Sequence, residues 1–181
     1  YSGSGFYGDV NLWTGKGVYI SHVKMRITTL SVNDDMAVLE VCAQLKNIIG
    51  HGLEAECLIE IKKDGQKTAS DTQRVVFRSE QMQAVRVQIP IEHPKKWSPK
   101  QPALYECHIT TKFDDEICDE AVSNFGIRVL ALDPVHGLQI NGETVKLRGT
   151  CIHHDNGVIG AETFKEAEWY RCKRLKSRIC L

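Results

Sequence analysis

Met36-Ala37-Val38-Leu39-Glu40-Val41-Cys42-Ala43-Gln44-Leu45 is the stretch on which the fold turns. Side chains alternate between the two faces of a strand, so every second residue shares a surroundings. Val38, Glu40, Cys42 and Gln44 fall on one face, and Ala37, Leu39, Val41, Ala43 and Leu45 on the other. The second set is wholly apolar and the first is mixed, the pattern of a half-buried antiparallel strand. The register predicts Leu39, Val41 and Ala43 in a core and Val38 turned away from it. A slip of one residue would reverse every assignment.

Similar runs lie on both sides. Val18–Ile27 precedes the deciding strand. Glu56–Lys62 follows it and ends at Lys63-Asp64-Gly65-Gln66, where Asp-Gly supplies the positive φ angles of a tight hairpin. Then come Gln73–Arg78, Ala84–Ile91 with Val85, Val87 and Ile89 at period two, Leu104–Phe113, and Glu116–Asn124 across Asp114-Asp115. Seven short strands with regular turns between residues 17 and 128 predict a mainly β fold, an immunoglobulin-like antiparallel β-sandwich. A barrel is the alternative that periodicity leaves open.

The pattern changes after Arg128. Leu138–Ile140, the Asn141-Gly142 turn and Thr144–Leu147 read as a small hairpin, and Arg148–Gly160 is a glycine- and histidine-bearing loop. From Phe164 the spacing is helical, with Phe164, Cys172, Leu175 and Ile179 near one face and Thr163 and Glu166 placed as a capping box. A single helix cannot bury its face alone, which predicts that the chain is a piece of something longer. It also makes the C-terminal segment an association surface through which copies of the chain would form a homo-oligomer.

Composition narrows the function. Twenty-three basic residues balance 23 acidic ones, so the basic excess expected of a nucleic-acid-coating protein is missing. No apolar run reaches membrane-spanning length, and no basic end followed by an apolar stretch opens the chain. The seven cysteines are odd in number and none is paired at zinc-knuckle spacing. They read as reduced thiols, four of them in strands, with one disulfide or a reactive thiol as the alternative, which favours a reducing, cytoplasmic compartment over a periplasmic or secreted one. Adjacent side chains of an extended segment point opposite ways, so His153 and His154 are poorly placed to chelate one metal. Glu162, Glu166 and Glu168 read as solvated, and no catalytic carboxylate pair, cofactor site or metal site is expected. Trp13, Trp97 and Trp169 are scattered, so no stacking platform for sugars is evident.

Three motifs carry a family resemblance. WSPKQPALYECHI, residues 97–109, resembles the W-S-P-x-x-P-x-L-Y signature in the central sandwich domain of glycoside hydrolase family 2, the β-galactosidase and β-glucuronidase group. FGIRVLALDPVHGLQINGETVKLRGTCIHHDNGVIGA, residues 125–161, resembles that family's crossing from sandwich to catalytic barrel. YSGSGFYGDVNLW, residues 1–13, resembles the last strand of its jelly-roll sugar-binding domain, with Gly8 where an arginine is common. The tail departs from the pattern too, since SRICL stands where G-F-N-A-[IV]-R would lead to a second barrel strand.

The resemblance implies the end of a jelly roll over 1–16, the sandwich over 17–128, and over 129–181 the linker, hairpin and first strand and helix of a (β/α)8 barrel. It implies a retaining glycosidase acting on O-glycosidic bonds of a carbohydrate substrate, with two glutamates about 5–5.5 Å apart. Those glutamates would lie beyond Leu181, so the piece should be inactive alone. His153 and Asp155 would line the sugar pocket at the carboxyl end of the first barrel strand, and His154 would support the loop. The competing expectation is a free-standing immunoglobulin-like module that binds carbohydrate or protein.

Overall fold

A computed structural model describes residues 10, 12, 14–21, 24–79, 81–153, 156–160 and 162–179. Two compact units divide the chain, Thr14–Val145 and a second that includes Lys146–Leu181.

Among its described residues the first unit holds eleven strands: β1 (Val18–Ile20), β2 (Arg26–Val32), β3 (Met36–Asn47), β4 (Leu53–Lys63), β5 (Gln66–Phe77), β6 (Met82–Glu92), β7 (Tyr105–Phe113), β8 (Glu116–Phe125), β9 (Leu130–Asp133), β10 (Gly137–Ile140) and β11 (Glu143–Thr144). In the first sheet β3 pairs along one edge with β6, from Met36↔Glu92 to Lys46↔Met82. Along its other edge it pairs with β2 and then β1. The second sheet runs β5-β4-β7-β8. Every pairing within these sheets is antiparallel. Taking β1 and β2 as one interrupted strand gives the seven-stranded sandwich, with β5 bonded to β4 instead of joining the first sheet as in the constant-type immunoglobulin arrangement.

The deciding strand has the expected register. Ala37, Leu39, Val41, Ala43 and Leu45 are buried, whereas Val38, Glu40, Cys42 and Gln44 are only partly covered. They pack in one core with Ile59 and Ile61 of β4, Ile89 and Ile91 of β6, Ile109 of β7 and Phe77 of β5. Full burial of each such side chain contributes about 1.5–3 kcal/mol. Both expected hairpin turns use left-handed residues, Asp64 with Gly65 (φ 52° and 78°) and Asp114 with Asp115 (54° and 60°).

Three local expectations are corrected. The Val18–Ile27 run is two strands, because β1 ends with Ile20 paired to Leu45 and β2 begins with Arg26 paired to Cys42, so more residues separate the two strands than separate their partners on β3. Between the two strands Lys24 N donates to Ser21 O at 2.9 Å. The second hairpin strand is only Glu143–Thr144, not Thr144–Leu147, and β9 joins β10 to make a three-stranded sheet. The helix α1 spans Lys165–Ile179. Its first bond runs from Glu168 N to Phe164 O, so Phe164 occupies the N-cap position and Thr163 stands one residue outside the capping box.

Side chains join β1 to the second sheet. Asp119 Oδ2 of β8 accepts from Ile20 N at 2.8 Å, and the buried Thr111 hydroxyl of β7 donates to Val18 O at 2.8 Å. The W-S-P crossover is locked to the small sheet in the same way. Asn141, in the left-handed region at φ 53°, donates from Nδ2 to Trp97 O at 3.0 Å. Its Oδ1 accepts from Val129 N at 3.0 Å. Trp97 lies over Gly126, where any Cβ would stand 2.7 Å from the tryptophan side chain, and the Arg128 guanidinium lies 4.9 Å from the ring centroid. The crossover tryptophan is a packing anchor.

Candidate functional site

The histidine loop belongs to the second unit. His153 is exposed, and Asp155, with His154, lies outside the described residues. Arg148 is exposed but engaged with a partner. Among the described residues no group of three histidine, cysteine, aspartate or glutamate side chains converges to hold a metal ion.

Beyond His153 the loop closes into a short 3-10 turn, Gly157–Ile159, and Asn156 is its hub. Asn156 N donates to Gly160 O at 2.8 Å, and Asn156 Nδ2 donates to Glu162 O at 2.7 Å. Arg171 of α1 donates from Nη2 to Asn156 Oδ1 at 2.5 Å. The other guanidinium nitrogen, Nη1, lies 3.2 Å from Glu168 Oε1 and donates to Oε2 at 3.4 Å. Glu168 Oε1 is sealed from water, with only that charge contact beside it. The solvated reading of Glu168 is therefore corrected, while Glu162 and Glu166 are exposed as expected. The expected helix face is corrected in part: Leu175 is half-buried as expected, together with Glu168 and Arg171, whereas Phe164 and Cys172 are exposed, and the side chain of Ile179 lies outside the described residues. Sequence reading missed this network: the Glu168/Arg171 pair, three residues apart on a helix, is a local signal, but the tie from Arg171 to Asn156 is not.

In the sandwich, the carboxylates serve the fold. Glu40 lies between Arg26 and Arg86 at 3.8 and 3.7 Å, and Asp119 clamps β1. Among the described carboxyls with displaced titration, all move downward. Asp34 is lowered by its Lys96 hydrogen bond, Asp64 by Lys63, and Asp133 by the backbone amides of His136 and Val135. A general acid requires the opposite displacement. The buried Cys57 and Cys107 thiols are pushed up to about 12 by burial, with the charge of Asp71 adding to the effect at Cys57. Neither is a nucleophile at neutral pH.

A sandwich built around the W-S-P crossover has counterparts among known proteins. The model for the glycosyl hydrolases family 2 matches residues 18–128, the eight strands of the two packed sheets. The chain belongs to this family. A family 2 β-galactosidase of Bacteroides ovatus is 27% identical over 191 aligned residues, covering 99% of this chain and 21% of the relative. A β-glucuronidase of Bacteroides fragilis is 30% identical over 71 residues, covering 39% of this chain and 10% of the relative. The crystal structure of a family 2 member from Bacteroides cellulosilyticus superposes with a TM-score of 0.82 at 29% identity, over 88% of this chain and 21% of that one. The chain thus spans 16% of a putative β-glucuronidase of Formosa agariphila and 21% of the Bacteroides ovatus enzyme, well under a quarter of the length of the curated relatives it matches.

Proposed function

We propose that these residues are the sandwich portion, with its flanks, of a retaining family 2 glycosidase acting on O-glycosidic bonds of a β-galactoside or β-glucuronide. Residues 1–16 end a jelly roll, 17–128 form the sandwich, and 129–181 begin the catalytic barrel. His153 and Asp155 hydrogen-bond to sugar hydroxyls in the complete enzyme. The observation carrying this reading is the family match along the whole sandwich, with the histidine loop following it in the chain. The chemistry requires one carboxyl held protonated and a second held ionised across the glycosidic bond.

The sandwich's part is structural: it carries the small sheet whose last strand, β11, precedes the histidine loop in the chain. The 181 residues alone are expected to leave nitrophenyl β-galactoside and nitrophenyl β-glucuronide intact, whereas a protein containing them and a full barrel releases nitrophenol with retention at the anomeric carbon. Turnover by the 181 residues that survives repurification and disappears on a point substitution within them would overturn the assignment. So would inversion at the anomeric carbon by the longer protein.

A further inference from the structure

We infer that Arg171 is a positioning residue for the sugar-binding histidine loop, acting through Asn156; this rests on the glycosidase reading above. The turn beyond His153 is built on glycine. Its two glycines, Gly157 and Gly160, both stand at φ 65°, where other residues are strained. Val158 is 105% exposed and anchors nothing. Polar bonds tie the turn down. Asn156 binds it internally through Gly160 O and Glu162 O, and Arg171 ties its side chain to α1.

Arg171 suits this task because the guanidinium is a fork. One nitrogen faces the Glu168 carboxylate one turn back on the helix, which orients the group, while the other reaches Asn156 Oδ1. A lysine offers its donors from one nitrogen on a flexible stem, without the planar fork that holds both partners in fixed geometry. Glu168 is half-buried with one oxygen sealed from water, so it is held in place as the orienting group. Only two residues separate His153 from Asn156, so the anchor point of Asn156 limits where the histidine can stand. In a site where a 1 Å displacement can cost about 100-fold in rate, such an anchor affects turnover without touching substrate.

Two measurements test the inference. The first is hydrogen exchange at the Asn156 and Gly160 amides in the 181-residue chain, comparing wild type with Arg171→Met and Arg171→Lys. Methionine should lose at least tenfold in protection at both amides, with lysine intermediate and the sandwich amides unchanged. Unchanged protection of the two amides in Arg171→Met would overturn the inference.

The second is steady-state turnover of nitrophenyl β-galactoside and β-glucuronide by a family 2 enzyme carrying these residues. Arg171→Met should lower kcat/KM at least tenfold through both constants, at unchanged melting temperature, and Arg171→Lys should restore only part of it. An active wild type with an equally active Arg171→Met variant overturns the positioning role. A variant that merely yields less folded protein, with kcat and KM intact, also overturns it. Should the wild type hydrolyse neither glycoside, the glycosidase reading falls, and the exchange experiment alone decides whether Arg171 anchors the turn.

Discussion

Among single residues, the cysteines show how burial sets chemistry. Cys57 and Cys107 face the core of the second sheet, where a thiolate has neither water nor a counter-charge. Cys151 and Cys172 are exposed. Alkylation by iodoacetamide at pH 8 should therefore label Cys151 and Cys172 readily, and Cys57 and Cys107 only in urea; peptide mass spectrometry reads the order. The pH dependence has a fixed sign. The folded thiols hold their protons up to about 12, above the ordinary value of 9.0, so the unfolded chain releases protons first. Their stabilising effect is complete below pH 9 and is lost as pH rises from 9 towards 12, which urea titrations along that range would detect.

For the strands, the alternation in β3 makes a sharp contrast between neighbours. Leu39→Ala removes a fully buried side chain and should cost about 2–5 kcal/mol. Val38→Ala, on the partly covered face, should cost less than about 1 kcal/mol, and urea denaturation of the two variants would compare them. Similar losses for both would overturn the register. The same logic explains what could be read in advance. β3, β6 and β7 each put one apolar face on the core, so their periods were visible. The first half of β5 was invisible because Gln66–Thr72 is an edge segment with polar residues on both faces. β9 was missed because Leu130 and Leu132 are exposed and alternate with nothing buried. In the histidine loop, residue type pointed to His153, but the Asn156–Arg171–Glu168 network depends on a turn meeting a helix, which no local pattern encodes.

At the scale of the whole molecule, the second unit carries apolar surface outward. Phe164, Trp169 and Tyr170 are all more than half exposed, and Lys173 and Arg174 lie against the two rings on the helix. Exposed aromatic surface of this kind promotes self-association. Light scattering on the 181-residue chain should show an apparent mass that rises with concentration, and truncation after Val145 should abolish the rise. A strictly monomeric mass for both forms would count against association through the C-terminal segment.

The position of β3 also has a consequence in time. The hairpins β4–β5 and β7–β8 close across neighbouring residues, Lys63 with Gln66 and Phe113 with Glu116, and can zip as soon as they exist. β3 meets β2 early, yet its other edge waits for β6, with Lys46 opposite Met82 and Met36 opposite Glu92. Closing so long a loop is slow compared with closing a hairpin. While the chain is being synthesised, the apolar row from Ala37 to Leu45 emerges well before the strand that completes its sheet. For that interval the segment that best defines the finished core is also the stretch most open to chaperones, proteases and other nascent chains.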